Sequence, residues 1–545
     1  MNIMKQVFCI IFSFVLSSLA VAVEPNLLPT PTEMEVRTGV FSLTGNTIIV
    51  ADHENRENAN YLASKLKTST GFNLVVKSSG SGISLKIDSS DTSLGKEGYT
   101  LQVASDNVKI RASTKAGCFY GIQSFLQLLP PEAYGKQKAA GISWQAPCVM
   151  IRDIPKYQWR AFMLDSGRQY QTVAFIKEYL DHIAMMKMNV FHWHLTEDLG
   201  WRVEIKKHPK LTEVGSKVSK LKEGQGFYTQ EQIKDIVAYA ARRHITVVPE
   251  IDIPGHSGAA LVSYPELTCL KKPPSLTGRT KELFCGGRDS TYTFLKDVLD
   301  EVCELFPGEY IHIGGDEAPK DIWEICKDCQ KKKKELGLKD EHALQIHMTN
   351  ILAKHLEAKG RKVICWGDVV TSQGPALNKN IVISWWNWRS RRDKALRAGI
   401  KRGHEVICNS NYYTYLNFPL DPWKGYQANR TFNLQTAYEE NPSDLKPETL
   451  TPDQKKLVIG METCMWCDYN VTMDLIDSRV FPRILALAEQ MWSTAERKPY
   501  ADFIELVRAQ YPRLKAAGID YGKETGAVSP PGKSPEKRKK RHRNR

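Results

Sequence analysis

The stretch Tyr310-Ile311-His312-Ile313-Gly314-Gly315-Asp316-Glu317 joins a strand-like run to a glycine pair and two adjacent acids. β-Branched and aromatic residues at its start predict a strand. The two glycines end that strand, since glycine allows backbone angles and close approaches that other residues resist. On a continuing strand the two acids would point to opposite faces, whereas after the glycines both can turn into one cleft.

The pair Asp316-Glu317 is the first candidate for chemistry in this chain. Two carboxylates this close disfavour double ionisation, so we expect the pKa of one of them to be raised. A carboxyl group with a raised pKa is what a general acid needs near neutral pH. The alternative is a solvated Asp-Glu pair on a loop.

Strand-like and helix-like runs alternate around this stretch, from Ile151 onwards. The predicted strands are 160–165, 189–194, 246–251, 310–313, 362–366, 381–385, 405–408 and 457–460. Helical patterns separate most of them, at 173–188, 230–243, 292–305, 342–358 and 391–402. Eight such units predict an α/β fold, a (β/α)₈ TIM-type catalytic barrel over residues 151–515. A doubly wound open sheet is the alternative, but no glycine-rich phosphate loop follows the first strand.

Residues 23–150 have a different pattern. Short alternating runs separated by Gly, Ser and Asp turns predict strands, and two helical patterns, 57–68 and 115–129, lie among them. We therefore expect a smaller α+β domain that supports the barrel. Pro130-Pro131 and the polar stretch up to Gln145 are typical of a linker.

The two ends of the sequence lie outside both domains. Residues 1–22 combine a basic start, an apolar run and the small residues Ala20-Val21-Ala22, which predicts a cleaved signal peptide and a secreted or periplasmic protein. A retained anchor is the alternative, but the apolar run is short for spanning, and no later stretch is apolar enough to span stably. Residues 516–545 are predicted to be a disordered basic tail.

The net charge of +14 invites a nucleic-acid interpretation. However, residues 533–545 hold eight Lys or Arg and one Glu, so half of the excess lies in the tail. Together with an export signal, this distribution predicts no nucleic-acid partner. Adhesion of the tail to an acidic surface is an alternative to a merely solvated tail.

Eleven cysteines follow the signal peptide, an odd number that excludes complete pairing within the chain. Cys303 and Cys365 lie in apolar patterns typical of buried thiols. Four others fall in loop-like segments after two successive strands, and they are Cys269, Cys285, Cys326 and Cys329. These four predict either two disulfides or a structural zinc site with four thiolates, and free thiols are the remaining alternative. None of these arrangements places a metal at the carboxylates.

In a barrel, chemistry gathers at the C-terminal ends of the strands. Acids, an arginine, histidines and many aromatic residues lie at these ends. Aromatic faces pack against the C–H faces of sugar rings, and carboxylates with arginine bind hydroxyl groups, so this composition suggests a glycoside pocket. His192 and His194 alternate on one strand, and we expect at least one of them to be a core histidine.

Several motifs carry a resemblance to a known family. They are Trp-Arg-x-x-Met-Leu-Asp-x-x-Arg, Asn-x-x-His-x-His-Leu-x-x-Asp-x-Gly-Trp, Pro-Glu-Ile-Asp-x-Pro-Gly-His and His-x-Gly-Gly-Asp-Glu. In this order they resemble glycoside hydrolase family 20, the β-N-acetylhexosaminidases, over about residues 24 to 510. The resemblance implies substrate-assisted catalysis, in which the 2-acetamido oxygen of the sugar attacks its own anomeric carbon. Asp316 would hold the acetamido group, and Glu317 would serve as acid and then as base.

The resemblance also implies binding roles. Arg168 would bind hydroxyls of the terminal sugar, Tyr415 would bind the acetamido oxygen, and Asp252 with His256 would adjust the proton of the acid. The tryptophans that wall the acetamido pocket would be Trp366, Trp385 and Trp466. His256 is also a candidate substrate contact, together with Glu197, Asp198, Asn417 and Asp468. The family pattern differs at three of these positions, with Asp expected at Glu197, Asp at Asn417 and Glu at Asp468.

The function implied is that of an exo-acting, retaining glycosidase that releases terminal β-linked N-acetylglucosamine or N-acetylgalactosamine and requires no cofactor. The partner would be a glycan of a glycoprotein, a mucin or a chitin-type oligosaccharide. A lacto-N-biosidase is an alternative that needs room for a disaccharide. A glycan-binding barrel without catalysis is a second alternative, and the intact acid pair disfavours it.

Overall fold

The computed structural model describes residues 24–220, 222–276, 281–371, 374–386, 394–418, 420, 432–440, 450–468 and 471–524. The predicted signal peptide and the basic run 533–545 lie outside the described residues. Within them, no helix combines the length and the apolar character that crossing a bilayer requires.

The first domain is a seven-stranded mixed sheet with strand order β1-β7-β5-β6-β4-β2-β3. Its strands are β1 Glu33–Ser42, β2 Ile48–Ala51, β3 Val75–Lys77, β4 Ile83–Ile87, β5 Tyr99–Val103, β6 Val108–Ala112 and β7 Gln145–Asp153. Its helices are α1 Arg56–Thr70 and α2 Lys115–Leu128. In β6 every second residue is buried, which is the period that a sheet with one covered face requires. The predicted α+β domain is confirmed.

Strand β7 corrects the predicted domain boundary. It pairs with β1 and β5, so the boundary expected at residue 150 falls inside a strand of the first domain. Pro147, which cannot donate to a sheet, lies beyond the end of β5 and pairs only with β1. The stretch expected to be a linker is packed as well, since Tyr134 and Trp144 are buried.

The second domain is a closed barrel of eight strands. They are β8 Trp159–Asp165, β9 Val190–His194, β12 Thr246–Glu250, β13 Tyr310–His312, β14 Lys362–Trp366, β15 Ile381–Trp385, β16 Val406–Cys408 and β17 Val458–Met465. All neighbours are parallel, and a small hairpin of β10 Thr196–Glu197 and β11 Gly200–Trp201 follows β9. Val248, Ile364 and Val382 belong to a layer of buried residues inside the barrel. The predicted (β/α)₈ barrel is therefore confirmed.

Helices follow the strands and surround the barrel. They are α3 Val173–Met185, α4 Lys210–Glu213, α5 Gln230–Ala241, α6 Gly258–Ser263, α7 Asp289–Leu305, α8 Asp321–Ile325, α9 Lys327–Glu335, α10 Glu341–Glu357, α11 Asp368–Thr371, α12 Lys394–Lys401, α13 Leu434–Glu439, α14 Pro452–Lys456, α15 Met473–Val480, α16 Arg483–Trp492 and α17 Tyr500–Ala517. Several begin at the cap residues that the sequence supplies, such as Thr172, Thr229 and Asp340.

The C-terminal segment also differs from expectation. Helix α17 continues to Ala517, Ile519 is buried, and Tyr521 stacks on Tyr511. The predicted disordered tail therefore does not begin at residue 516, because apolar and aromatic residues up to about Glu524 still pack on the barrel domain. The rest of that tail, residues 525–545, lies outside the described residues.

A cluster of buried charges joins the two domains. Asp153 at the end of β7 accepts hydrogen bonds from Lys187 (2.8 Å), Tyr99 (2.7 Å) and Trp492 (2.9 Å). The Lys187 ammonium group also lies 4.6 Å from the centre of the Trp492 ring. We call Asp153, Lys187, Tyr99 and Trp492 the interface cluster.

Candidate active site

A cavity of about 260 Å³ opens at the C-terminal ends of the barrel strands. Its lining comes from the ends of all eight barrel strands and from the loops that follow them. The lining residues are Arg168, His194, Glu197, Asp252, His256, Asp316, Glu317, Trp366, Trp386, Asn411, Tyr415, Asn417, Trp466 and Asp468. Most of the residues that the sequence suggested for a glycoside site therefore meet in one place.

The glycine pair after β13 explains how both acids reach the cavity. Gly314 and Gly315 have φ angles of 64° and 106°, a region that favours glycine. A Cβ atom on Gly314 would lie 1.8 Å from Asp252 Oδ1, so no larger residue fits there. Glu317 itself has a φ of 47°, which is strained for a non-glycine residue and typical of functional sites. Asp316 and Glu317 consequently line the same cavity.

Asp316 is held as an anion. Burial opposes ionisation, but His256 Nε2 lies 3.4 Å from Asp316 Oδ2 and holds the pKa of this carboxyl group below its ordinary value. The other oxygen, Oδ1, is buried and has no hydrogen-bond partner among the described residues. Asp316 therefore presents a charged acceptor that needs a donor from outside the protein.

The cation that faces Asp316 belongs to a chain of charges. Burial disfavours the charged form of His256, but Glu197 and Asp316 raise its pKa well above the ordinary value. Its Nδ1 lies 2.6 Å from Glu197 Oε1, and Glu197 also pairs with Arg168. Asp165 fixes Arg168 in turn, with Oδ2 accepting from Nη1 at 2.8 Å. The chain alternates in sign from Arg168 to Asp316.

The carboxyl groups with raised pKa values are two neighbours of the acid pair, Asp252 and Asp368, rather than Asp316 itself. Burial and the charge of Asp316 raise the pKa of Asp252 well above its ordinary value. Burial, again with the charge of Asp316, raises the pKa of Asp368 to about 6. One raised pKa is expected in the acid pair, and Asp316 is not the acid that carries it, because the imidazolium group of His256 outweighs burial there.

Glu317 stands at the edge of the cavity with a side chain that is 40% exposed. Its Oε2 lies 3.8 Å from His256 Nε2, and its backbone N–H donates to Asp368 Oδ1 at 3.3 Å. Glu317 also lines a neighbouring cleft of about 570 Å³, which includes Lys320 and Lys394. A group in either space can therefore reach this carboxyl group.

Aromatic residues wall the other side. Trp366 donates from Nε1 to Glu250 Oε1 at 2.6 Å, and its ring lies 5.8 Å from that of Trp466. Trp466 also lies 5.9 Å from Tyr415 and 5.1 Å from the guanidinium carbon of Arg168. Burial raises the pKa of Tyr415 well above its ordinary value, so the phenol stays neutral and can donate a hydrogen bond.

The third wall tryptophan is Trp386, and the prediction of Trp385 is wrong. Trp385 is fully buried on β15 and does not line the cavity. Val382 and Ser384 of this strand face the barrel interior, so alternation points Trp385 outwards into the helix layer. Trp386 lies one residue later and donates from Nε1 to Asp368 Oδ2 at 2.7 Å.

Asp198 is a second correction, since it does not line the cavity. Its Oδ1 accepts the backbone N–H of Gly258 at 3.0 Å, at the start of α6. The carboxylate therefore satisfies an otherwise free donor of that helix. Asn417 and Asp468 do line the cavity, with Asn417 Nδ2 donating to Asp468 Oδ1 at 3.0 Å.

The two histidines of β9 have different places. His192 lies in the barrel core, where its Nδ1 is 2.9 Å from Glu462 Oε1 and its ring stacks on His312. His194 lines the cavity and packs against Trp466. The expectation of at least one core histidine is confirmed.

Site reasoning from the sequence missed His194, Trp386 and Asn411 as cavity residues, and Asp165 and Asp368 as their supports. All but Asn411 stand among the polar and aromatic residues at predicted strand ends, so their position was a usable signal. Asn411 is positioned by a long-range contact, in which its N–H donates to the carbonyl oxygen of Trp386.

Chemically, the cavity offers Asp316 as an anionic acceptor with an unpartnered oxygen, Glu317 as a carboxyl group at the entrance, Tyr415 as a neutral phenol, and tryptophan rings as an apolar wall. A charged acceptor and a phenol donor match the N–H and the carbonyl oxygen of an amide group. The carboxyl group of Glu317 is placed to exchange a proton with an atom at the cavity edge.

Comparisons with known proteins agree with this arrangement. Residues 157–495 match the catalytic domain of glycosyl hydrolase family 20, and residues 24–154 match domain 2 of that family. A β-hexosaminidase of Porphyromonas gingivalis is 38% identical over 516 residues, which cover 91% of this chain and 64% of that protein. This chain thus spans slightly less than two thirds of that relative's length.

Solved structures match over more of their length. A β-N-acetylhexosaminidase from Bacteroides fragilis is 44% identical, with a TM-score of 0.83 over 92% of this chain and 97% of the other. A mutant Streptomyces plicatus β-hexosaminidase in complex with its product GlcNAc is 31% identical, with a TM-score of 0.81 over 91% of this chain and 96% of the other.

Proposed function

The chain belongs to glycosyl hydrolase family 20, and we propose that it is an exo-acting, retaining β-N-acetylhexosaminidase. It releases terminal β-linked N-acetylglucosamine or N-acetylgalactosamine from glycans. The observation that carries this proposal is the unpartnered Oδ1 of an ionised Asp316, which faces a cavity walled by Trp366, Trp386, Trp466 and Tyr415.

In the first step the acetamido oxygen of the sugar attacks its own anomeric carbon. Asp316 accepts the acetamido N–H, aims the group and stabilises the positive charge that develops on it. Tyr415 donates a hydrogen bond to the acetamido oxygen. The bond from the anomeric carbon to the leaving oxygen breaks, and Glu317 gives that oxygen a proton.

In the second step water replaces the acetamido oxygen. Glu317, now a carboxylate, takes a proton from the water as it attacks the anomeric carbon. The bond between that carbon and the acetamido oxygen breaks, which restores the amide. Two inversions at one carbon give net retention, and neither step requires a cofactor.

The size of the cavity supports exo action. About 260 Å³ suits a single N-acetylated sugar better than a disaccharide, which disfavours a lacto-N-biosidase. Arg168, Asn417 and Asp468 supply polar groups for the hydroxyls of that sugar. The neighbouring cleft on the other side of Glu317 has room for the leaving group.

The remaining features complete the proposal. GlcNAc is the product bound by the Streptomyces plicatus relative, which supports a glycan substrate here. The apolar run in residues 1–22 supports a secreted or periplasmic location. Glycoproteins, mucins and chitin-type oligosaccharides are the substrate classes that such a location offers, and nucleic acid is not expected as a partner.

The test is a time course with a chitin-type tetrasaccharide, followed by chromatography and by NMR of the first product. We expect GlcNAc as the first product, initially as the β anomer. A disaccharide as first product would indicate a biosidase, and an initial α anomer would exclude the retaining mechanism. Binding of the tetrasaccharide without any product would indicate a glycan-binding barrel.

A further inference from the structure

Four cysteines from separate segments meet beside the catalytic loops. Cys269 follows β12 and α6, and Cys285 lies just before α7. Cys326 caps the N-terminus of α9, and Cys329 lies in the first turn of that helix. All four are buried thiols without a disulfide.

The sulfur atoms form a compact group rather than two pairs. Cys285 Sγ lies 3.8 Å from Cys326 Sγ and 3.7 Å from Cys329 Sγ, and Cys269 Sγ lies 3.8 Å from Cys329 Sγ. All four atoms lie within 4.8 Å of one another. A tetrahedral ion with metal–sulfur bonds of about 2.3 Å separates its ligand sulfurs by about 3.8 Å. Two disulfides would instead give each sulfur a single close partner.

We propose that Cys269, Cys285, Cys326 and Cys329 bind one structural Zn²⁺ as four thiolates. Zinc suits this set because tetrahedral four-thiolate sites with no open position are structural zinc sites. A mononuclear iron is the other ion that such a geometry accepts, and metal analysis distinguishes the two.

The surroundings suit the two negative charges that four thiolates and one Zn²⁺ leave over. The guanidinium group of Arg288 donates to the carbonyl oxygens of Thr268 (2.7 Å) and Cys269 (2.9 Å), and to Asp328 Oδ2 at 2.5 Å. The Arg288 charge therefore lies beside the segment that carries Cys269 and beside the first turn of α9, which carries Cys329. The N-terminus of α9, which carries Cys326 and Cys329, adds the positive end of a helix dipole.

Close packing around the group depends on Gly287, which lies two residues after Cys285. A Cβ atom on Gly287 would lie 2.2 Å from the backbone of Asp328, between the two cysteines of α9. Glycine thus lets the Cys285 loop approach the first turn of α9 closely enough for their sulfurs to share an ion.

The position of the site explains what the ion does. His256 stands on the loop after β12, which leads to Cys269 and Cys285, and Asp316 with Glu317 stands on the loop after β13, which leads to Cys326. The ion ties these two loops together behind the cavity. None of the four cysteines lines the cavity, so the ion stabilises the loops and takes no part in the reaction.

The first experiment measures metal and thiols in the purified, unmodified enzyme. We expect one zinc per chain by mass spectrometry of the native protein and by elemental analysis, and release of that zinc when a mercurial reagent titrates the thiols. Absence of metal, with a mass four hydrogens lower and loss of four titratable thiols, would show two disulfides. Absence of metal with all thiols free would equally overturn the proposal.

The second experiment tests which cysteines hold the ion. Cys326→Ser should lose most of the bound zinc, whereas Cys303→Ser, which changes a buried thiol on α7 outside the group, should keep it. If Cys326→Ser does not fold, cobalt substitution of the wild type replaces it, since four thiolates give Co²⁺ intense charge-transfer and visible absorption. A spectrum of octahedral Co²⁺, or zinc retained at full stoichiometry in Cys326→Ser, would contradict the site. None of these measurements depends on glycosidase activity.

Discussion

The interface cluster and the cavity both bury charged side chains, yet they differ in how completely those charges are satisfied. In the interface cluster, Asp153 accepts hydrogen bonds from Lys187, Tyr99 and Trp492, and none of these polar atoms lacks a partner. In the cavity, Asp316 Oδ1, Asn417 Oδ1 and Trp466 Nε1 are buried without a partner among the described residues.

This difference separates a structural charge cluster from a reactive one. Burial of charge alone does not mark a site, because a fully satisfied network only holds elements together. A buried polar atom that lacks a hydrogen-bond partner destabilises the folded protein, and a ligand that supplies the partner removes this cost. The interface cluster should therefore control stability, and the cavity should control turnover.

The substitution Glu317→Gln has the largest expected effect and tests whether the cavity controls turnover. We expect turnover of natural oligosaccharides to fall about 10³-fold, because the leaving oxygen loses its proton donor. Aryl glycosides with very acidic leaving groups need less protonation and should lose less activity. Equal losses on both substrates would contradict the acid role, and the melting temperature serves as the control for folding.

Lys187→Met tests the interface cluster, where we expect a loss of stability without a loss of turnover. It leaves Asp153 without its cation in a buried site, so the free energy of unfolding should fall by about 3 kcal/mol. Turnover per folded molecule should stay as in the wild type, since Lys187 does not touch the cavity. A large loss of turnover with unchanged denaturant midpoint would reverse the roles assigned to the two clusters.

Asp316→Asn should lower turnover about 10²-fold while the protein remains folded. The amide keeps the size of the side chain but removes the charge that stabilises the cationic intermediate. Measured with an aryl N-acetylglucosaminide, the loss should appear in kcat more than in KM. Wild-type turnover in this variant would remove Asp316 from the mechanism.

His256→Gln should have a smaller effect, about tenfold or more, and it should depend on pH. The imidazolium group holds the pKa of Asp316 down, so its removal lets burial raise that pKa. The ionised fraction of Asp316 then falls at acidic pH, and the acid limb of the pH profile should move to higher pH. An unmoved acid limb would mean that His256 only fills space.

Asp368→Asn should change the dependence of stability on pH. The folded-state pKa of Asp368 is about 6, above its ordinary value of 3.8, so the folded state binds more protons between these values. The wild type should therefore lose stability relative to the variant as pH rises from about 4 to 6, by at most about 1.4 kcal/mol per pH unit. Denaturant midpoints of both proteins across this range measure the slope, and a difference independent of pH would contradict the raised pKa.

Much of the barrel can be predicted from the sequence, for a local reason. Runs such as Lys362–Trp366 and Ile381–Trp385 are short, apolar and β-branched, and their observed bounds equal the predicted ones. Strand β7 escapes prediction because Pro147 and the polar residues before it look like a linker. Only the pairing of β7 between β1 and β5 shows how the sheet accommodates that proline.

The candidate site shows the same distinction between residues that a local pattern predicts and residues that a long-range contact places. Asp316 and Glu317 follow from the glycine pair before them, which is a local signal. Whether Trp386 or Trp385 lines the cavity depends on the register of β15, because a shift of one residue reverses the direction of a side chain. The role of Asp198 depends on Gly258, 60 residues away, which no local pattern reveals.

The most direct test of the central claim compares two aryl β-glycosides that differ only at the 2-position, one N-acetylglucosaminide and one glucoside. If the sugar supplies its own nucleophile and Asp316 Oδ1 holds the acetamido N–H, kcat/KM should be measurable for the N-acetylated compound and close to background for the glucoside. Cleavage of both at similar rates would contradict the account, because the reaction would then need no acetamido group.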